Sequence, residues 1–425
     1  MLLPAAFRKL EAREKRRILE TMLQLTPDEV SATNPGGEMI DLADVMVESA
    51  VGVMPIPMGI ASGIKVDGVP TNIPMAVEEP SVVAAATFAG RLVTQAGGGF
   101  TTAGTGQVMT AQVAIDDVAP GALTAVRAAE KDLKEELREI LGPMTRRGGG
   151  YRGMEAAEQP ETGLLVVHLH VDTCDAMGAN IINTAAEALR SPLERITGGT
   201  VLMAILTNAA PRRRVRASFS VPVKKLGRGP YDGPTMGRRI VRANEFALAD
   251  RLRAVTHNKG IMNGITALAT ATGNDTRAIE AAVHAYAARD GRYRALTEYS
   301  LREDHLEGTL EIPLAMGTVG GAVGFHPVST FALKVLFPDD GVEPSADRLA
   351  RVAVALGLAQ NLAALMALVG EGIQQGHMHR HARRLAWKAG ARFQEIQSLA
   401  DLVWKAGTFN LEAARKLLET LREDG

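Results

Sequence analysis

Between Gly260 and Asn274 fifteen consecutive residues carry no charge, in a chain whose Asp, Glu, Lys and Arg make up 22% of the sequence. The stretch THNKGIMNGITALATATGND, 256–275, has Lys259 at its head and an isolated Asp275 at its tail. A soluble helix normally spreads charge over its outer face. An element this long without any must be enclosed on nearly all sides, so the rest of the chain has to supply a large core around it. A charge at each end of a buried segment needs a partner or a task. Two readings stand side by side here: an ion pair that closes off a core helix, or a functional pair.

The chain is long enough for that core. Its 425 residues suit about two or three domains. With 47 basic and 48 acidic residues the net charge is −1, which points to neither nucleic acid nor a membrane surface. The single cysteine, Cys174, excludes an intrachain disulfide and suits a reducing compartment. The start, MLLPAAFRKLEAREKRR, is not a signal peptide, and an apolar run such as SVVAAATFAG is too short to span a bilayer. A soluble, cytoplasmic protein is expected. Aromatic residues are only 4% against 43 Gly and 17 Met, which favours close backbone packing with Met filling irregular gaps.

Read along the chain, residues 5–50 look helical, with Thr26-Pro27-Asp28-Glu29 forming an N-cap, a proline at N1 and first-turn acids. Strand-like runs broken by Gly and Pro follow, then an alanine-rich helix after Glu78-Glu79-Pro80. The character changes over 108–207. There AQVAIDDV, GLLVVHLHVDT and TVLMAILT read as strands, separated by the charged helix AVRAAEKDLKEELREI, a flexible MTRRGGGYRG and the helix NTAAEALRSPLERIT. That is a compact α+β unit of the size of an inserted domain. SFSVPV returns to strand, and 240–400 reads as mostly helical around the loop MGTVGGAVGFHP. The expected fold is α+β. A helix-rich large domain (1–107 and 208–371) carries an inserted domain (108–207) and a small helical C-terminal domain (372–425).

Familiar cofactor signatures are missing. Gly104 and Gly106 are followed by Met109 where a dinucleotide fingerprint needs glycine, and there is no phosphate loop and no HExxH. HMHRH (377–381) sets two imidazoles four residues apart but has no nearby third ligand, so no metal site is expected. PRRRVRA (211–217) reads either as a phosphate contact or as a solvated face, and GTVGGAVG as an anion cradle or a plain turn. What remains is Glu78-Glu79 at a helix head, Lys259, Asp275 and His377. A carboxylic acid, a lysine, an aspartate and a histidine are together a kit for reducing a carbonyl and expelling a leaving group.

The blocks VEEPSVVAAAT, DAMGANIIN, THNKGIMNG, ATGND, GLAQNL and EGIQQGHM occur in that order. Together they resemble the signature blocks of the 3-hydroxy-3-methylglutaryl-coenzyme A reductase family, in its second, anchor-free bacterial and archaeal class. The resemblance runs from about residue 5 to about residue 410. It implies that Glu79, Lys259, Asp275 and His377 are catalytic, His377 on a closing C-terminal flap. It also implies that Ser81, Arg253, Asn263, Gln360 and Asn361 bind the hydroxymethylglutaryl group or support the catalytic set. Asp175, Ala176, Met177, Gly178 and Asn180 form the turn that lies against a nicotinamide cofactor held by an unusual α+β insert. VESAVG (47–52) stands where the family carries its dimer motif, usually ENVIG, and departs from it. A homodimer with sites built across its interface is expected nonetheless.

The implied reaction takes 3-hydroxy-3-methylglutaryl-CoA and two reduced nicotinamides to mevalonate and free CoA, or runs in reverse. Lys259 would polarise the thioester carbonyl, Asp275 would hold the lysine protonated and aimed, and Glu79 would supply a proton. The expected cofactor is NADPH or NADH. NADH-using relatives carry an acid near the end of the helix before the glycine run. Here LREILGPMTRRGGG puts Arg146 and Arg147 close by, which favours NADPH, although Glu139 would serve a ribose in a shifted register. The competing reading is a non-catalytic acyl-CoA-binding protein of the same fold.

Overall fold

The computed structural model describes residues 10–23, 39–338, 344–370, 372, 382–392 and 394–423. Residues 1–57 form one unit. In it, helices α1 (Ala12–Leu23) and α2 (Met39–Met46) are tied by Arg13, whose Nε and Nη2 donate to the two carboxylate oxygens of Asp41 at 2.9 and 2.6 Å.

Residues 58–425 form the second unit. It opens with an antiparallel hairpin of β1 (Met58–Val66) and β2 (Val69–Ala76), against which helix α3 (Val82–Gly97) packs. A four-stranded antiparallel sheet follows the order β3 (Thr101–Gly104), β8 (Arg214–Pro222), β10 (His305–Pro313), β9 (Thr297–Arg302). The β9–β10 hairpin is an exception, not foreseen, within a region whose described residues are otherwise mostly helical. Leu306, Gly308, Leu310 and Ile312 alternate inward while Glu307, Thr309 and Glu311 point outward, a period of two that no helix accommodates.

Between β3 and β8 the chain builds a second antiparallel sheet with its own core. Its order is β5 (Gly150–Glu158), β6 (Leu165–Asp172), β4 (Val108–Asp116), β7 (Thr200–Thr207). The charged stretch after β4 is three short helices, α4 (Ala122–Ala128), α5 (Glu130–Glu136) and α6 (Arg138–Thr145). Helices α7 (Ala179–Ala188) and α8 (Arg190–Thr197) join β6 to β7. Met109, Val113, Leu137, Leu169, Ile182 and Leu193 meet in this core. Strand β5 overlaps the segment read as flexible. It is an edge strand with a bulge between Tyr151 and Gly153, and its few apolar residues hide it from a hydrophobicity pattern.

The large core is organised by α9 (Gly233–Ala249), α10 (Arg251–Ala271), α11 (Thr276–Ala287), α12 (Pro327–Leu336) and α13 (Ala346–Val369). Helix α13 is apolar and long enough to cross a bilayer, but its residues 349–363 are nearly all buried against α3, α10 and β8. Helix α10 holds the uncharged run. From Ile261 to Ala271 only Thr270 is exposed, as the missing charges require. Its first turns are different: Leu252, Val255, Thr256 and Lys259 form an exposed stripe at helical spacing. At the C-terminal end the helical residues 382–388, α14 (Ile396–Ala406) and α15 (Leu411–Glu423) share a small core of Leu385, Leu399, Val403 and Leu418.

Candidate active site

A cavity of about 530 Å³ opens where the head of α3, the first half of α10 and the middle of α13 converge. Glu79 and Ser81 line it from the segment entering α3. Arg253, His257, Lys259 and Asn263 line it from α10, and Gln360 and Asn361 from α13. Residues spaced three and four apart on α10 share one face, which is why residues 253 to 263 reach the same space. Two catalytic residues named from the sequence and all five expected to bind substrate are therefore gathered around one cavity.

At the mouth, Lys259 Nζ donates to Glu79 Oε2 at 3.1 Å. The side chains are 60% and 40% exposed. A pair so open to water is worth at most about 1 kcal/mol, so stability does not account for it. Glu79 is delivered by a strained turn. Ser81 has φ +89°, in the left-handed region, and its carbonyl accepts from Ala85 N–H at 2.7 Å to begin α3. Such a conformation in a non-glycine residue costs about 1–3 kcal/mol and survives where the surroundings impose it.

The floor is a polar network inside the core. His257 Nε2 lies 2.6 Å from Thr297 Oγ1 and 3.0 Å from Asn361 Nδ2, and Asn361 Oδ1 accepts from the Tyr299 hydroxyl at 2.9 Å. Burial, followed by the charge of Arg253 one turn earlier, pushes His257 down to about 3, so it is neutral at physiological pH. Burial also lowers Arg253 from the usual guanidinium value. His257 Nδ1 and Gln360 Oε1 are buried without a hydrogen-bond partner among the described residues. Unmet buried polar atoms cost about 1–3 kcal/mol each. A network that orients Asn361 from behind was not foreseen from the sequence. Its one signal was His257 and Asn258 just ahead of the uncharged run.

Asp275 is elsewhere. Its carboxylate caps α11, accepting from Arg277 N–H at 3.0 Å and Ala278 N–H at 3.1 Å. Twelve helical residues separate Lys259 from Ala271, about 18 Å of rise. The turn beyond is wound back on the helix, with Asn274 N–H bonded to Ala269 O at 2.8 Å. Within one chain the structure does not bring Asp275 to Lys259. His377, and the HMHRH segment with it, lie outside the described residues.

The DAMGAN turn follows β6. Asp175 Oδ1 accepts from Ala346 N–H, at the head of α13, at 2.9 Å, and its carbonyl accepts from Thr318 N–H at 2.8 Å. Ala176 makes a parallel bridge with Val319, so the GTVGGAVG loop is the backing of this turn. Gly178 has φ +96°, and a Cβ there would lie 2.3 Å from Thr173 Cγ2, so only glycine fits. Gly178 is also the N-cap of α7, on whose first turn Asn180 lies. The turn holding Arg146 and Arg147 abuts this region, with Cys174 Sγ 3.7 Å from Arg147 O. Both arginines are exposed, and their guanidinium groups are unpaired among the described residues. A half-buried backbone turn at a helix head beside two unpaired arginines fits a phosphate-bearing dinucleotide. PRRRVRA is not such a patch: Arg212 pairs with Glu155, Arg214 with Glu311 at 3.1 Å, and Arg213 is 2% exposed.

Residues 11–382 match the family model of hydroxymethylglutaryl-coenzyme A reductase. The chain is 44% identical over 421 residues to the 3-hydroxy-3-methylglutaryl-coenzyme A reductase of Archaeoglobus fulgidus, covering 98% of this chain and 94% of that one. Among solved structures, the reductase from Streptococcus pneumoniae superposes with a TM-score of 0.75 at 38% identity, covering 99% of this chain and 100% of the other. A second structure, of the class II reductase from the same organism bound to NADPH in open conformations, gives 0.75 at 39% identity and covers 96% and 99%.

Proposed function

The chain belongs to the hydroxymethylglutaryl-coenzyme A reductase family, and from that premise we propose how its residues reduce 3-hydroxy-3-methylglutaryl-CoA to mevalonate and free CoA. The observation that carries the reading is the Lys259–Glu79 pair, 3.1 Å apart, at the mouth of the cavity lined by Ser81, Arg253, Asn263, Gln360 and Asn361. Those residues take the hydroxymethylglutaryl group, Arg253 supplying the cation for its carboxylate. Lys259 polarises the thioester carbonyl and stabilises the oxyanion, an effect commonly worth about 3–4 kcal/mol per donor. Glu79, already in hydrogen-bond contact with the lysine, passes a proton to the reduced oxygen. The nicotinamide, when bound, supplies one hydride in each of two successive reductions. Asp175, Ala176, Met177, Gly178 and Asn180 hold it, and Arg146 and Arg147 select NADPH over NADH through the 2′-phosphate. His377 protonates the departing CoA thiolate after the first reduction.

Asp275 is supplied by a second copy of the chain. The about 18 Å of helix from Lys259 to Ala271, with Asp275 past its end, supports this, as do the exposed apolar side chains at both places. Leu252 and Val255 flank Lys259, while Val319, Phe325, Val328 and Phe331 lie around the loop and helix that meet Gly273. The working unit is then a homodimer whose sites combine two chains. The domain division at 107/108, 207/208 and 371/372 belongs to the same reading, supported by separate cores for the insert and the C-terminal helices. So does a cytoplasmic location, since the one long apolar helix among the described residues is taken up by the core.

The test is loss of reduced-nicotinamide absorbance on adding 3-hydroxy-3-methylglutaryl-CoA, with NADPH and with NADH. Turnover with mevalonate and CoA as products is expected. Binding of the acyl-CoA without turnover by either cofactor would leave only a non-catalytic acyl-CoA-binding protein.

A further inference from the structure

Arg213 is the largest fully buried side chain among the described residues, and no carboxylate among them touches it. It stands just before β8, in phase with the inward-facing Val215, Ala217, Phe219 and Val221. Its Nη1 donates to Thr173 Oγ1 at 3.3 Å and to the carbonyls of Ala176 and Met177 at 3.2 Å each, and its Nη2 donates to the carbonyl of Met316. Only Nε finds no acceptor among the described residues. Withdrawing a guanidinium from water is costly, and carbonyl dipoles alone repay it less completely than a carboxylate does. Burial lowers its pKa to about 10, so it stays charged at neutral pH.

The partners share one place. Three of the four acceptors belong to residues 173–177, the entry and first half of the DAMGAN turn. The fourth, Met316, starts the segment behind that turn. This segment is gripped from the other side: Gly317 N–H donates to Asn274 Oδ1 at 2.7 Å, and Gly317 O accepts from Asn274 Nδ2 at 3.1 Å. A Cβ on Gly317 would lie 2.6 Å from Met177 N, which measures how closely turn and segment are pressed together.

We propose that Arg213 is a positioning residue for the cofactor, a buried fork that fixes the DAMGAN turn against residues 316–318 so that the turn presents a preformed nicotinamide-binding surface. It touches neither substrate nor cofactor and acts through the turn. The proposal rests on the reading of that turn as the cofactor site. A planar guanidinium spans acceptors on two chain segments at once. A lysine keeps the charge but offers a single nitrogen on a flexible stem, so the two are not interchangeable here.

The experiment measures steady-state constants of full-length Arg213→Lys, with Asn180→Ala as a control on the turn itself. Arg213→Lys should raise the KM for NADPH at least about tenfold, since hydrogen bonds from a charged donor are lost, while the KM for the acyl-CoA stays within about twofold. An unchanged NADPH KM in folded Arg213→Lys, or equal rises for both substrates, overturns the proposal. Should Arg213→Lys fail to accumulate folded, Thr173→Val, which removes one acceptor with little change in shape, decides in its place: a rise of about threefold or more confined to NADPH supports the proposal, and no rise overturns it. If Asn180→Ala also leaves the NADPH KM unchanged, the reading of the turn has failed. If it raises that KM while Arg213→Lys does not, the failure belongs to Arg213 alone.

Discussion

If Lys259 and Asp275 serve one reaction, two chains must supply them, because within one chain about 18 Å of helix runs from Lys259 to Ala271 and Asp275 caps the next helix beyond that end. Lys259→Ala and Asp275→Ala homodimers should each be nearly inactive. Loss of an oxyanion donor alone costs about 10²–10³ in kcat. A heterodimer of the two variants is different. One of its sites combines the intact lysine of one chain with the intact aspartate of the other, and the second site lacks both. Co-expression with two distinct tags and tandem purification isolates that species. It should show about half the wild-type activity per dimer, and a randomly mixed population about a quarter. Had both residues come from one chain, each site of the heterodimer would carry one lesion and the preparation would be as inactive as its parents. A heterodimer no more active than either homodimer, or a failure of the two chains to associate, refutes the reasoning.

Acid should expose the buried imidazole. His257 falls from the ordinary 6.5 to about 3 on folding, so the unfolded chain binds more protons between those values. Stability is then full above about pH 6.5 and is lost as pH falls toward 3, by up to about 1.4 kcal/mol per unit. Between pH 7 and pH 4.5 the urea midpoint of wild type should fall more than that of His257→Gln, by the equivalent of about 2–3 kcal/mol; parallel slopes would be wrong for this assignment. Replacing Arg146 and Arg147 by serine should raise the KM for NADPH about tenfold and leave NADH unchanged, whereas a wild-type preference of tenfold or more for NADH contradicts the role given to them. His377→Ala should lose about 10²–10⁴ in reduction of the acyl-CoA yet keep most reduction of added mevaldehyde, where no thiolate departs. Equal losses in both assays would mean that the histidine only packs.

The enclosed part of α10 was legible because burial and charge exclude one another, although the run from Gly260 to Asn274 hides the helix's exposed first turns and overshoots its end at Ala271. The cavity residues were legible because they sit in short blocks whose order is specific. Arg213 was not, since a one-dimensional pattern reads three consecutive arginines as surface. The inward alternation of Val215, Ala217 and Phe219 extends to it, but that clue has to outweigh a strong prior against burying arginine. The β9–β10 hairpin was within reach of the same alternation and was obscured by the helices on either side. The gap between Lys259 and Asp275 was invisible for another reason: spacing along the chain fixes a distance only once the intervening residues are known to be one straight helix.

Its residue count makes α10 a strut of set length. In the proposed two-fold pair each copy's strut begins in one reaction centre and ends near the other, so a single insertion between Gly260 and Ala271 would turn everything beyond it by about 100° and advance it about 1.5 Å. Both centres would lose register at once, whichever chain carried the extra residue on its far side. The uncharged run is therefore constrained in number as tightly as in character. Gly264 packs against Gln360 and Leu356 with little room for a larger side chain, and a change in the count of residues has no local remedy at all.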